Sequence, residues 1–520
     1  MISGKSLIVG TWADGSGTPF SSYNPATNEK LNDFRGVGLS QIDEAVHGSY
    51  EAYRIFKSFG FEQRAAFIDE IASEIEALGD ELLETCNKET GLGIPRLTGE
   101  RGRTCGQLRA FASLIREGSW QQARIDTAIP HRKPIPKPDI RSVLQPIGPV
   151  AVFSASNFPL AFSTLGGDTA SALAAGNTVV VKGHPSHPAT SELCAVAITN
   201  AIKKHSMPAG VFSLLQGGDP EVSTHLVKHP KLEAVGFTGS SRVGRILFDA
   251  GAARPRPIPV YAEMGSTNPV FILPKALENR GNEIATGLAG SITLGAGQFC
   301  TKPGLVFMLK TPDQEAFKQA LVEAIGKIQI GNLLNAGITS GYKEKISAYV
   351  NNPALTALAG TDMASATLFT VKAADFNANP GLEEEVFGPA ALLIECENQE
   401  EMMQAIDQLG GHLTGTIHSN EDAEAGAIKL ALEEKVGRII FNGFPTGVEV
   451  CPSMHHGGPY PSTTFATATS VGTAAIERFC KVVCYQDAPQ THLPLALKDD
   501  NPMGVNRLVN GEFTTNKINA

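Results

Sequence analysis

An α/β fold built on parallel, doubly wound sheets is predicted for this chain of 520 residues, and three observations predict it. Short β-branched runs alternate with helical patterns of about ten to fifteen residues from near residue 149 onward, which is how strands joined by crossover helices read. Prolines at 130, 134, 136 and 138 break the chain just before that alternation begins, forbidding both helix and central strand there. Glycine-bearing turns follow several of the apolar runs, as tight strand-to-helix connections need.

Taken in order, the stretch from about Gln41 to Ile115 has helical apolar spacing, through Ala45, Tyr50, Ala52, Ile55 and Phe56 and then Ala66, Phe67, Ile71, Ile75 and Leu78. A helical layer is expected. Residues 128–140 read as an extended arm or connector. Strands are then expected at 149–153, 178–181, 210–215, 232–237 and 257–262, with helices at 163–175, 187–204 and 242–250, the pattern of a dinucleotide-binding unit. A second run starts with Pro-Val-Phe-Ile-Leu after Asn268. It continues through a long helix before Cys300, a strand at 305–309, a helix at 314–325 and strands near 390–394 and 437–441. Two α/β units are predicted, with no internal repeat, and the crevice between them is where chemistry is sought.

Composition narrows the classes. A chain of this length predicts two to four domains and can bury several cores. Lys and Arg number 43 against 53 Asp and Glu, a formal charge of 43 − 53 = −10 without basic tracts. That argues against nucleic acid or an anionic membrane as partner and for a small molecule. The eight cysteines, at 86, 105, 194, 300, 396, 451, 480 and 484, form no C-x-x-C pair, which speaks against a disulfide framework or structural zinc. The first ten residues hold one Lys and too short an apolar run for a signal peptide. No apolar stretch reaches the roughly 18 residues of a membrane span, so a cytoplasmic protein is expected.

Five segments carry chemistry. Cys300 stands in Gly295-Ala-Gly-Gln-Phe-Cys-Thr-Lys-Pro-Gly304, where a helix breaks into a glycine-flanked loop. Alone it reads more readily as a small buried hydrophobe than as a nucleophile. Glu263, in Tyr261-Ala-Glu-Met-Gly-Ser-Thr-Asn268, leaves an apolar strand, so burial is expected to raise its pKa toward general-base range; a turn cap is the alternative. Asn157, in Phe153-Ser-Ala-Ser-Asn-Phe-Pro-Leu160, can aim its amide at an oxyanion or simply serve the turn. Lys182 follows a buried strand in Val179-Val-Val-Lys-Gly-His-Pro185. In Val235-Gly-Phe-Thr-Gly-Ser-Ser-Arg-Val-Gly244 the backbone amides of Gly239 and Ser240 are expected to open a helix and face a phosphate, with Gly244 permitting close helix packing.

Taken in chain order the five resemble the aldehyde dehydrogenase superfamily, over about residues 20–490. Its pattern of an Asn-Phe-Pro turn, a Lys, a Gly-Ser turn, a Glu-Leu-Gly-Gly-like motif, G-Q-x-C and E-E-x-F-G-P is matched here. The matches are Asn157-Phe-Pro, Lys182, Gly239-Ser240, Glu263-Met-Gly-Ser, Gly297-Gln-Phe-Cys300 and Glu384-Glu-Val-Phe-Gly-Pro389, followed by Phe441-Asn-Gly443. The segments from Ser156 to Gly176 and Lys182-Gly-His184 look like a narrower branch, the bacterial α-ketoglutarate semialdehyde (2,5-dioxopentanoate) dehydrogenases. An NADP-preferring fatty aldehyde dehydrogenase is the alternative within the superfamily.

The resemblance implies a Rossmann-like cofactor domain, an α/β catalytic domain and a small β oligomerisation element. The first takes residues 1–129 and 148–265, the second 266–478, and the arm 130–147 and 479–500. It implies NAD(P)-dependent oxidation of a small aldehyde through a thioester on Cys300, with Asn157 and the Cys300 N–H holding the oxyanion and Glu263 activating the hydrolytic water. Glu385 would hold the nicotinamide ribose and Phe387 the nicotinamide ring, while Lys182, His184, Pro185, Gly239 and Ser240 would bind the rest of the cofactor. NAD-preferring relatives commonly carry a Glu where this chain has Pro185. Its absence beside Lys182 and His184 implies use of either NADP or NAD with NADP favoured, although no Arg stands in Gly217-Gly-Asp-Pro220. A homodimer or homotetramer is implied. His455 and His456 are read as a loop near the substrate mouth, since neighbouring histidines cannot share one face, and no metal is expected. A non-redox thiol hydrolase or acyltransferase on Cys300 and Glu263 is the reading from another class. The nucleotide-like turns at Lys182 and Gly239 speak against it.

Overall fold

The computed structural model describes residues 2–360 and 365–518. Two seven-stranded sheets organise the chain. In the first, Val260–Glu263, Ala234–Thr238, Val150–Phe153, Val179–Lys182 and Phe212–Leu215 lie side by side and parallel. Ser6–Ile8 adds antiparallel to Phe212–Leu215, and Thr11–Ala13 closes that edge. Chain order reverses between Val150–Phe153 and Ala234–Thr238, which opens a crevice at the strands' C-terminal ends.

The helices Leu39–Phe56, Phe61–Ala77, Gly79–Thr90 and Ile94–Glu117 form the layer expected from 41–115. The first buries Ile42, Ala45, Val46, Ser49, Ala52 and Phe56, a stripe at helical spacing, while Ile55 is 54% exposed and lies off it. Gly91 and Gly118, with φ of 65° and 86°, end the third and fourth helices in left-handed caps. Helices Gly167–Ala175 and Pro188–Lys204 complete the core with Val150, Val152, Val179 and Val181.

The second sheet runs Thr356–Ala359, Thr367–Lys372, Ala390–Cys396, Leu305–Leu309, Val270–Ile272, His412–His418 and Val436–Phe441, parallel except at its first pair. Buried residues cover both of its faces, as parallel sheets require. Sequence reading missed His412–His418 and Thr367–Lys372. Gly415 and several Thr and His residues dilute the first, and the second stands apart from any glycine turn that would announce it.

A five-stranded sheet joins Cys480–Gln486, Ile140–Pro146, Arg124–Asp126, Arg507–Val509 and Glu512–Thr514. It takes in 124–126 and 507–514, which lie outside the arm drawn at 130–147 and 479–500, because Arg124–Asp126 pairs with Ile140–Pro146, Arg507–Val509 with Arg124–Asp126, and Glu512–Thr514 with Arg507–Val509. The proline segment closes on itself through Ile129 and Lys137, whose backbone groups exchange hydrogen bonds of 2.9 and 3.1 Å. Ala475, Ile476 and Phe479 pack into the first unit's core, although they follow the second unit in sequence. No helix among the described residues is long and apolar enough to cross a membrane.

Candidate active site

Strand Val260–Glu263 is the last of the first sheet, and its outer edge is covered by a distant segment. Met264 N donates to Ser462 O at 2.7 Å, Thr464 N to Ala262 O at 3.1 Å, and Ala262 N to the Thr464 hydroxyl at 2.9 Å. This lateral pairing draws the loop of residues 451–472 over the strand's end. His456 N donates to Thr469 Oγ1 at 2.8 Å and Ser470 N to His456 O at 2.9 Å, pinning the loop closed. Glu263 and His456 are left 4% and 2% exposed.

Cys300 arrives from the second unit. After helix Pro274–Thr293 the backbone turns left-handed at Gly295, Ala296 and Gly297, with φ of 58°, 56° and 66°. A Cβ on Gly297 would lie 2.2 Å from Gly388 O, so the Cys300 loop and the Phe387-Gly-Pro turn require a glycine where they touch. Asn268, itself at φ 47°, donates from Nδ2 to Cys300 O at 2.8 Å and Lys302 O at 2.9 Å. Asn157 Nδ2 donates to Gln298 O at 3.0 Å, so one amide N–H braces the loop and the other stays available.

Three reactive groups then meet. Cys300 Sγ is 3.4 Å from His456 Nε2, and that nitrogen is 3.0 Å from Glu263 Oε1. The Ser470 hydroxyl donates to the other Glu263 oxygen. The sulfur, ring nitrogen and carboxylate oxygen lie within 4.8 Å of one another. These donor types can hold a thiophilic cation and can equally pass a proton.

The expected rise of the Glu263 pKa is reversed. Burial pushes it up, but attraction to His456 and hydrogen bonds from His456, Ser470 and Cys300 bring it below the usual carboxylate range. Cys300 moves the opposite way. Burial, the Glu263 charge and the Glu263 hydrogen bond hold the thiol well above its ordinary value, with Arg103 acting against them. At neutral pH the half-buried sulfur keeps its proton beside an ionised carboxylate.

His456 lies in a loop, as expected, but is buried between Cys300 and Glu263 instead of standing at the mouth, while His455 lies half-buried beside it. Sequence reasoning also passed over Ser470, Asn268 as a brace, and Lys302. The last had a signal, a lone cation just before the apolar run Leu305–Leu309. Buried Lys302 donates to Val386 O and Ala390 O at 3.0 and 2.8 Å. Its charge lies beside Glu385, whose pKa burial pushes up to about 7 against the pull of Lys302.

The groups expected to bind cofactor fall along the crevice. Lys182 ends its strand 8% exposed, and its Nζ has no hydrogen-bond or ion-pair partner among the described residues. Burial lowers it to about 8. An orphaned ammonium at a strand's C-terminal end fits a nucleotide's hydroxyl or phosphate oxygens. His184 is held well below its ordinary value by burial and by His187 and Lys182, so it is neutral, and its Nδ1 already accepts from Ser186 N at 3.1 Å. Pro185 lies against Gly218.

Gly239 does not offer its amide to a phosphate. It donates to Glu263 O at 3.0 Å, carrying the parallel ladder one residue past the strand. The Ser240 hydroxyl caps helix Ser241–Ala252 by accepting from Val243 N at 3.4 Å. A Cβ on Gly244 would meet Met264 at 2.7 Å, so close helix packing holds there as expected. Glu385 reaches from the second unit to Gly265, where an added Cβ would lie 2.7 Å from its Oε2, and Phe387 is half-buried nearby in sequence.

Residues 12–483 match the aldehyde dehydrogenase family. The chain belongs to this family. It is 45% identical to alpha-ketoglutaric semialdehyde dehydrogenase 2 of Azospirillum brasilense, over 98% of this chain and 99% of that one. It is 44% identical to the alpha-ketoglutaric semialdehyde dehydrogenase of Acinetobacter baylyi, over 95% and 97%. The fold is that of a 1-pyrroline-5-carboxylate dehydrogenase from Thermus solved with bound NAD, with a TM-score of 0.78 at 20% identity over 93% of this chain and 92% of that one. The chain is thus an oxidoreductase of the NAD(P)-using aldehyde dehydrogenase family.

Proposed function

We propose that this enzyme oxidises 2,5-dioxopentanoate (α-ketoglutarate semialdehyde) to 2-oxoglutarate through a thioester on Cys300. The observation that carries the chemistry is the chain of contacts Cys300 Sγ, His456 Nε2 and Glu263 Oε1 at 3.4 and 3.0 Å. The substrate rests on near-full-length identity of 45% and 44% to two enzymes bearing that name.

Cys300 attacks the aldehyde carbon, and its proton passes to the Glu263 carboxylate, with which the thiol shares a hydrogen bond, and from there to solvent before the hydrolytic step. His456 Nε2, 3.0 Å from Glu263 Oε1, holds that carboxylate in place. The alkoxide forms next to the free amide N–H of Asn157 and the Cys300 backbone N–H, each worth on the order of 3–4 kcal/mol in sites of this kind. Bound NAD(P) supplies the hydride acceptor. Glu263, held by Ser470 and His456, then takes the proton of the water that cleaves the thioester.

Lys182, Glu385 and Phe387 are assigned to the cofactor. NADP is favoured over NAD because no carboxylate stands at Pro185 to repel a 2′-phosphate and Lys182 is a free cation, while neutral His184 contributes hydrogen bonding only. Cofactor binding is assigned to 1–129 with 148–265 and thioester chemistry to 266–478. Assembly into a homodimer or homotetramer is assigned to the five-stranded sheet, where Val482 of the edge strand Cys480–Gln486 is 67% exposed.

Absorbance of the reduced cofactor, followed with 2,5-dioxopentanoate and with pentanal and with NAD and NADP separately, tests the reading. Glu263→Ala is expected to give a burst of about one reduced cofactor per site and then steady turnover at least ~100-fold slower. No reduced cofactor with any aldehyde would remove the dehydrogenase assignment and favour a Cys–His–Glu acyl hydrolase. Undiminished turnover by the variant would remove Glu263 from hydrolysis.

A further inference from the structure

Helix Ile94–Glu117 brings two arginines to the wall of the Cys300 site. Arg103 stacks against Phe158 and Phe162, its guanidinium carbon 5.8 and 5.3 Å from their ring centroids. Phe158 meets Phe299 edge-on at 5.2 Å, and Phe162 lies 6.5 Å from the His456 ring. Each ring under the guanidinium therefore touches an immediate neighbour of the Cys300 sulfur. Burial lowers the Arg103 pKa, and the nearby carboxylates Glu100 and Glu263 act against that.

What Arg103 lacks is an acceptor. Its Nε and Nη2 are buried and donate to nothing among the described residues. Glu100, one turn earlier, gives Oε1 to the backbone N–H groups of Leu160 and Ala161 at 2.9 and 3.0 Å instead. Arg96 is partly committed, with Nη2 donating to Asn157 O at 2.7 Å and its guanidinium 4.9 Å from the Phe299 centroid, which leaves one buried nitrogen, Nη1, unpaired. Arg438 gives Nη2 to Pro445 O and Gly447 O at 3.0 and 3.3 Å and keeps a single buried unpaired nitrogen, Nε, so neither it nor Arg96 offers the paired edge that Arg103 does.

A buried guanidinium without an acceptor is costly to maintain, and its planar fork matches a carboxylate with two parallel hydrogen bonds. The apolar rings beneath it exclude water, which strengthens such a pair and penalises its loss.

We propose that Arg103 determines specificity by gripping the distal carboxylate of a 2-oxo acid semialdehyde while Cys300 engages the aldehyde end. The proposal rests on the oxidation reading above and names the group that selects its substrate. Arg96 and Phe158 serve as positioning residues. An aldehyde of the same length without the carboxylate leaves Nε and Nη2 unpaired and is discriminated against on that ground.

Steady-state kcat/KM with 2,5-dioxopentanoate and with pentanal, at saturating NADP, tests this in wild type, Arg103→Gln and Arg103→Lys. Arg103→Gln is expected to lose ~100-fold on 2,5-dioxopentanoate, mainly through KM, and within about threefold on pentanal. Arg103→Lys is expected to recover part of the loss, since it restores charge without the fork. Calorimetric titration of the NADP-loaded enzyme with glutarate gives a readout independent of turnover, and Arg103→Gln should weaken it in parallel. Equal losses on both aldehydes, or a variant that keeps the wild-type preference and glutarate affinity, overturn the role of Arg103. A wild-type enzyme with no preference for 2,5-dioxopentanoate overturns the substrate reading itself and the proposal with it.

Discussion

At Cys300 and Glu263 one contact has opposite effects on two titrations. The carboxylate is stabilised in its charged form by His456 and Ser470 despite burial, and that retained charge then opposes ionisation of the thiol. The thiolate fraction of the free enzyme therefore grows only as pH rises well past neutrality. Removing the Glu263 charge removes one cause of the elevation, so Glu263→Gln is expected to shift the midpoint of Cys300 alkylation by iodoacetamide to lower pH, by about one unit. Alkylation rates between pH 6 and 10, read by mass spectrometry, check it. A midpoint that stays or rises would mean that Glu263 does not oppose the thiolate. Residue types were legible here from the sequence: a strand-end carboxylate, a glycine-flanked thiol and an amide before Phe-Pro. The sign of the Glu263 shift was not, because it depends on His456 and Ser470, which reach it from 193 and 207 positions away.

At the scale of elements, the Cys300 loop is a junction between helix Pro274–Thr293 and the turn at Gly388. Gly297 makes it possible twice over, by its φ of 66° and by the 2.2 Å that a Cβ would leave to Gly388 O. Gly297→Ala is expected to cost at least ~2–3 kcal/mol and to lower kcat strongly by pushing the loop away from His456. Gly290, exposed within the same helix and with nothing within 4 Å of an added Cβ, is the control. Gly290→Ala is expected to stabilise by up to ~1 kcal/mol. Thermal unfolding and kcat of the two variants check the pair, and equal behaviour would show that the Gly388 contact does not constrain the loop. Most strands and helices of the first unit were legible because its apolar runs are bounded by Gly and Pro. In the second unit Ala336–Val350, Gln399–Gln408 and Asp422–Glu433 were passed over between widely spaced signals.

Across the whole molecule, segments far apart in sequence are tied by buried polar contacts. Arg478 Nη2 donates to Asp168 Oδ1 at 2.7 Å, with side chains 4% and 9% exposed, fastening the end of the second unit's run to helix Gly167–Ala175 of the first. Breaking such a pair strands a buried charge. Arg478→Met is expected to destabilise by about 3–5 kcal/mol, and Arg478→Met with Asp168→Asn by clearly less. Apparent Tm at one fixed scan rate checks this ordering, and a double variant as unstable as the single one would show that the pair is not what holds the segment. By itself the sequence determined the α/β class, the two units and the family, because periodicity, turn residues and motif order are local properties of the chain. It also supplied Cys300, Glu263 and Asn157 as candidates. Only the tertiary structure decided that His456 and Ser470 complete the site, that Gly239 spends its amide on the ladder, and that Arg103 lies against Phe158 and Phe162 with Nε and Nη2 buried and without an acceptor. The physical reason is that each depends on lateral packing between distant segments, above all the pairing of 462–464 with the edge strand Val260–Glu263, which no local pattern encodes.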